Sequence, residues 1–283
     1  MRLATIHLQT VPWLQLESEL REVEAAEVDA AYVADHLTHP TMSDVFIADG
    51  WTTLAAASQA TSRIDLGTLV AAAGFRSPLT LARAASTLQD VSGGRFVLGL
   101  GAGTPLDVLA ATGTEPTTAE LSRRFCDTVE DLDRIFRGVK ADVHSLPVPP
   151  GRTRPFLLLA AHGPRGFAQV ARYADGWSTY GGHAATGLDA RDWWRLVARQ
   201  SAAVDEACQD LSRDPAALRR SLLLGYGTMR PLSSVAAFTE CLQRAEESGF
   251  DEVVIYWPRG GEGTRFWADP SVVAECLGVP RGR

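Results

Sequence analysis

At 283 residues the chain is too long for one small module and too short for several fused enzymes, so it holds either two domains or one α/β barrel of about 250 residues. A content of 46% hydrophobic and 22% charged residues describes a soluble globular protein. Acids outnumber bases by 34 to 27, and the resulting charge of −7 argues against a nucleic-acid surface, while the absence of any run of 18 apolar residues excludes a membrane-spanning helix.

The N-terminus, Met1-Arg2-Leu3 followed by alternating polar and apolar residues, lacks the apolar core of a secretory signal, so a cytoplasmic protein is expected. Cys126, Cys208, Cys241 and Cys276 lie at least 33 residues apart. They read as small buried hydrophobes in a reducing compartment. No H-x-H or H-x-x-x-H spacing seeds a metal site, and no metal is expected.

In chain order, short apolar runs alternate with amphipathic ones. Strands are expected at 3–9, 31–35, 64–71, 96–101, 156–161, 176–180, 221–227 and 252–257. Helices are expected at 16–26, 51–60, 78–91, 119–136, 164–173, 191–209, 233–248 and 270–277. Eight strand–helix units predict a single (β/α)8 barrel domain over 1–283, with a doubly wound open sheet as the competitor. Ser77-Pro78 is a helix start, with a hydroxyl cap before a proline at the first helical position. Ser92-Gly93-Gly94 ends that helix, and Asp214 caps another start. Two stretches read as irregular: 101–118, where Asp107 opens no clean helix, and the proline-rich 138–155.

Catalytic groups of a barrel belong where strands end and βα loops begin. Asp35-His36 closes an apolar strand with a carboxylate and an imidazole on opposite faces, either as a proton-transfer pair or as turn caps. Gly99, Gly101 and Gly103 share one strand face. They offer either a flat floor for a planar ring or close strand packing. Ala161-His162-Gly163-Pro164-Arg165 leads into a helix whose unpaired N–H groups, with Arg165, would suit a phosphate; the alternative is an ordinary capped turn. His7 and Trp177 are weaker candidates for lining a pocket.

Taken in order, these residues resemble the luciferase-like monooxygenase superfamily, especially its branch using the deazaflavin coenzyme F-420. The resemblance rests on Val33-Ala34-Asp35-His36-Leu37, Gly50-Trp51, Leu66-Gly67-Thr68-Leu69-Val70, Phe75-Arg76-Ser77-Pro78 and Ser92-Gly93-Gly94-Arg95-Phe96. It continues through Leu98-Gly99-Leu100-Gly101-Ala102-Gly103, Gly163-Pro164-Arg165 and Ala171-Arg172-Tyr173-Ala174-Asp175-Gly176-Trp177. It is dense over 30–105 and 155–178. It implies a (β/α)8 barrel with a flavin or deazaflavin at the C-terminal ends of its strands. Leu69-Val70, joined by a cis peptide, would back the ring; Gly101, Ala102, Gly103 and Thr104 would flank it; Ala161 to Arg165 would take the phosphate.

His36, and more weakly Asp35, would face the reacting atoms. The implied activity is hydride transfer between coenzyme F-420 and a small organic substrate. The alternatives are an FMN-dependent two-component monooxygenase using oxygen with a reductase partner, and a flavin-binding barrel without turnover. The resemblance also implies a homodimer. Thr104-Pro105 stands where some deazaflavin dehydrogenases carry a glutamate, which disfavours a sugar-phosphate substrate.

Overall fold

A computed structural model describes residues 1–37, 45–138, 153–226 and 229–281. The strands are β1 (Arg2–His7), β2 (Ala30–Val33), β3 (Asp65–Thr68), the short β4 (Ala71–Ala72), β5 (Phe96–Gly101), β6 (Phe156–Ala160), β7 (Gly176–Thr179), β8 (Arg219–Leu223) and β9 (Glu252–Tyr256). Every ladder is parallel. The sheet runs β3-β2-β1-β9-β8-β7-β6-β5-β4, and β3 pairs again with β5. That last pairing closes the ring, so the protein is a (β/α)8 barrel and not an open sheet. β3 and β4 are one expected strand interrupted at Leu69-Val70, whose peptide bond is cis.

The helices are α1 (Trp13–Ala25), α2 (Gly50–Ala60), α3 (Pro78–Val91), α4 (Pro105–Thr112), α5 (Thr118–Phe136), α6 (Pro164–Tyr173), α7 (Ala190–Asp210), α8 (Val235–Glu247) and α9 (Pro270–Leu277). Ser77 caps α3, its hydroxyl accepting from the Thr80 N–H at 3.2 Å, with Pro78 in the first turn. Asp214 accepts from the Ala216 N–H at 3.0 Å, although what it caps is a three-residue 3-10 turn. The reading of 101–118 as irregular needs correction, because α4 occupies its middle. Its signals are those of any capped helix: Thr104 accepts from the Asp107 N–H, Pro105 opens the first turn, and Gly113 ends the helix at φ +72°. Most of the proline-rich stretch, 139–152, lies outside the described residues.

Period-two alternation splits each strand between two cores. Ala4, Ile6, Tyr32, Val97, Leu158 and Val254 belong to the small cluster inside the barrel. Leu3, Val33, Leu98, Leu159, Trp177 and Val253 belong to the larger layer beneath the helices. The glycines on β5 serve this construction. A Cβ on Gly99 would lie 1.9 Å from the Thr68 carbonyl oxygen, so close approach of β3 and β5 requires glycine there.

Paired charges fill the N-terminal end of the barrel. Arg2 donates to Asp65 at 2.8 Å and to Glu252 at 3.2 Å, and the Tyr32 hydroxyl donates to Glu252 at 3.1 Å. Glu252 is fully buried. No helix among the described residues is long and apolar enough to cross a membrane.

Candidate active site

Four loops at the C-terminal end of the barrel carry the nominated residues. The end of β2 is held from three sides. Gln9, just after β1, donates its amide to the Ala34 carbonyl at 2.6 Å and accepts from the Ala34 N–H at 3.3 Å, clamping the backbone there. Asp35 turns to one side, where Arg76 grips both carboxylate oxygens at 2.6 and 3.1 Å. The Arg76 guanidinium lies 5.2 Å from the centroid of the Trp51 ring. Burial raises the Asp35 carboxyl above its usual range, against the pull of Arg76.

His36 turns to the other side. Its Nδ1 lies 2.7 Å from Oδ2 of Asp107, on α4, and the next backbone N–H, of Leu37, donates to Oδ1 of the same carboxylate at 3.0 Å. Asp107 is 3% exposed. Burial alone would push its carboxyl upward, but the hydrogen bonds from His36 and Thr104 outweigh that and hold it below the usual carboxylate range. Asp107 therefore stays ionised and acts only as an acceptor. Sequence reasoning misses it because it misses α4; the Thr-Pro-x-Asp start is the signal that places it in the first helical turn.

The glycine-rich end of β5 faces the bulge after β3. Leu69 is buried within the interior cluster, with Val70 packed against it. A Cβ on Gly101 would lie 2.5 Å from Cγ2 of Val70. Close packing therefore explains Gly99 and Gly101; Ala102, Gly103 and Thr104 beyond them are partly exposed.

The fourth loop follows β6. The Ala161 carbonyl accepts from the Trp177 indole at 2.9 Å. Gly163 is the N-cap of α6 and supplies no side-chain hydrogen bond, Pro164 opens the helix, and Arg165 is exposed. The cap position of α6 therefore offers its first N–H groups no side-chain acceptor. Beside them His162 has a buried Nε2 without a hydrogen-bond partner among the described residues. Burial lowers its pKa to about 4, so the ring is neutral at pH 7.

His7 and Trp177 are not brought to the mouth. Both fall on the outer strand face, in the layer under the helices. His7 is fully buried between Thr5 at 3.0 Å and Glu19 of α1 at 3.3 Å, and it stacks on Trp257. Arg259 ties the same Glu19 with bonds of 2.9 and 2.7 Å. Trp177 packs against Phe167 and Phe250.

The rings that do line the mouth are their opposite-parity neighbours and loop residues. His162 meets Tyr180 edge-on at 4.7 Å, Tyr180 meets Tyr226 at 4.6 Å, and Tyr256 stacks on Phe266 at 4.3 Å. Arg265 bridges Tyr226 and Phe266 at 4.8 and 5.2 Å from their centroids. A cavity of about 490 Å³ adjoins this wall, between the β8 and β9 loops, with Leu224, Pro231, Tyr256 and Trp267 among its walls. Counting alternate residues from Gly176 selects Tyr180 over Trp177. Among the described residues no group of three or more His, Cys, Asp or Glu side chains could hold a metal ion.

The closed barrel thus brings a histidine–carboxylate pair, a bulged third strand and a helix start without a side-chain cap to one mouth. A family model described as luciferase-like monooxygenase matches residues 4–224. The chain belongs to that family.

An uncharacterized protein of Mycobacterium tuberculosis is 34% identical over 157 residues, covering 50% of this chain and 56% of that protein. The phthiodiolone/phenolphthiodiolone dimycocerosates ketoreductase of M. tuberculosis is 28% identical over 250 residues, covering 76% of this chain and 63% of its own. The matches thus span less than two thirds of these relatives' length.

Among solved structures, an F-420-dependent secondary alcohol dehydrogenase superposes with a TM-score of 0.73 at 15% identity, over 90% of this chain and 92% of that one. The coenzyme F-420-dependent tetrahydromethanopterin reductase of Methanopyrus kandleri scores 0.71 at 12% identity, over 98% and 96%. Monooxygenase RslO1 from Streptomyces bottropensis scores 0.68 at 19% identity, over 98% and 96%. At such identities the likeness is one of fold.

Proposed function

We propose that this protein transfers hydride between coenzyme F-420 and a small organic substrate, interconverting an alcohol and its carbonyl. The observation that carries the reading is His36, a half-buried imidazole fixed by Asp107 beside the bulged β3 and the end of β5. Support comes from two F-420-dependent structural neighbours, one a secondary alcohol dehydrogenase, and from a ketoreductase among the relatives.

When bound, a deazaflavin supplies a ring carbon that gives or takes hydride. Leu69 and Val70 would lie behind that ring, Ala102 to Thr104 along it, and Ala161 to Arg165 at its phosphate. The residues present fit such a group. The orphaned Nε2 of neutral His162 can donate to an oxygen there, and the first turn of α6 adds uncapped N–H groups. His36 takes the hydroxyl proton of an alcohol as its carbinol hydrogen leaves as hydride, and returns that proton to a carbonyl oxygen in reverse. Asp35, gripped by Arg76, fixes the β2 end and does no proton transfer. The wall of Tyr180, Tyr226 and Phe266 limits water at the mouth.

Titrating cofactor-free protein separately with F-420 and FMN tests the reading. Tight F-420 binding with substrate-dependent bleaching of its absorbance is expected. Binding of FMN alone would replace it with the two-component monooxygenase, which needs a reductase partner; a monooxygenase, RslO1, is among the structural neighbours. Tight binding without turnover on alcohols, ketones or aldehydes would leave a cofactor-carrying barrel.

A further inference from the structure

We infer that Asp107 is a positioning residue that sets the tautomer of His36, keeping the proton on Nδ1 and presenting Nε2 as the acceptor toward substrate. The inference deepens the proposed role of His36 and rests on it for its kinetic consequence.

The donor–acceptor count at the carboxylate decides the tautomer. Oδ1 of Asp107 accepts from the Leu37 backbone N–H at 3.0 Å. Oδ2 accepts from the Thr104 hydroxyl at 2.8 Å and lies 2.7 Å from His36 Nδ1. An ionised carboxylate has no proton to give, so Nδ1 must be the donor. In the neutral ring the lone pair then sits on Nε2. The two contacts to successive residues, His36 and Leu37, also fix where the ring points. Capping α4 does not require this arrangement, because the Thr104 hydroxyl already accepts from the Asp107 N–H at 3.2 Å.

Asp107→Asn separates the two roles with little change of shape. The Leu37 N–H is a fixed donor, so the amide oxygen must stay opposite it and the amide NH₂ takes the place of Oδ2. The Thr104 hydroxyl can rotate to accept. His36 Nδ1, now facing a donor, must become an acceptor, and its proton moves to Nε2. The ring would remain in place with the wrong nitrogen protonated. In a serine-protease triad the same exchange costs about 10⁴ in turnover.

The decisive measurement is ¹⁵N-histidine NMR of the cofactor-free protein at neutral pH, assigned with His36→Gln. The expected result is an Nδ1–H tautomer in the wild type and Nε2–H in Asp107→Asn. An Nε2–H wild type, or a tautomer unmoved by the substitution, would overturn the inference. The wild-type spectrum suffices should the variant fail to fold.

In the holoenzyme, kcat of Asp107→Asn is expected to fall about 10²- to 10⁴-fold with KM and cofactor affinity unchanged. Loss of cofactor affinity with the tautomer intact would make Asp107 a structural residue instead. A tautomer switch that leaves kcat untouched would uphold the positioning and remove His36 from the reaction, so the two readings fail separately.

Discussion

The two ends of the barrel use polar side chains in opposite ways. At the N-terminal end Arg2 reaches Asp65 and Glu252, Glu252 also accepts from Tyr32, and each of these charges is answered within the chain. Arg219 is an exception there: among the described residues its buried Nε and Nη2 have no hydrogen-bond partner, while its Cζ lies 3.8 Å from the Phe156 centroid. At the C-terminal end, among the described residues, His36 commits only Nδ1 to a partner and His162 keeps a buried Nε2 with none. A buried polar group without a partner costs about 1–3 kcal/mol, so the chain tolerates one chiefly where something else completes it. The difference marks the N-terminal end as the one tied together by paired charges, and on the proposed function it leaves the C-terminal end for a ligand.

Substitutions at each end can break that division. The largest effect is expected from His36→Ala, with turnover lower by about 10²- to 10⁴-fold, or roughly 3–5 kcal/mol of barrier. Cofactor affinity and melting temperature should hold, and unchanged turnover would remove His36 from the mechanism. Next comes Glu252→Ala at the opposite end. Stripping the acid from Arg2 and Tyr32 should lower stability by about 3–5 kcal/mol in urea titrations, with cofactor affinity of the folded fraction unmoved. A parallel fall in affinity would show that the two ends are coupled.

Gly99→Ala sits between the ends and sharpens the comparison. Its Cβ meets a carbonyl that cannot step aside, so about 1–3 kcal/mol of stability should be lost, together with some cofactor affinity through the displaced bulge.

The smallest effect is expected from His162→Phe: a roughly tenfold weaker cofactor complex, the loss of one neutral hydrogen bond of about 1.4 kcal/mol. The same variant carries a pH signature. Burial lowers the folded-state pKa of His162 from 6.5 to about 4, so in that interval the unfolded chain binds a proton that the folded chain refuses. Stability should therefore fall as pH drops from 6.5 toward 4, and His162→Phe should remove about one proton's worth of that slope. Identical slopes in the two proteins would show that His162 is solvated in the fold.

Much of the fold is legible in the order of residues alone. The eight strands lie within a few residues of where alternation puts them, because apolar runs that must be covered on both faces have few other uses. Ser77 and Pro78 mark the start of α3 by local chemistry. Legibility fails at α4, whose eight residues are too few to show a period and sit among the threonines, glycines and prolines expected of a loop. With α4 hidden, Asp107 is hidden too. His7 and Trp177 show a second kind of failure, since strand-end position selects them while parity turns them outward.

By itself the sequence determined the alternation of elements, the caps, the placement of His36 at the end of a strand, and the family. Most of these are local properties, set by neighbours within a turn or two along the chain. Tertiary structure decided the rest. Closure came from β3 pairing with β5. The division of each strand between interior and helix layer came from packing, and the partner of His36 arrived from 71 residues away. Each of these is a contact between segments that have no common local signal, so only the folded chain, meeting the loop-closure entropy once for all of them, brings them together.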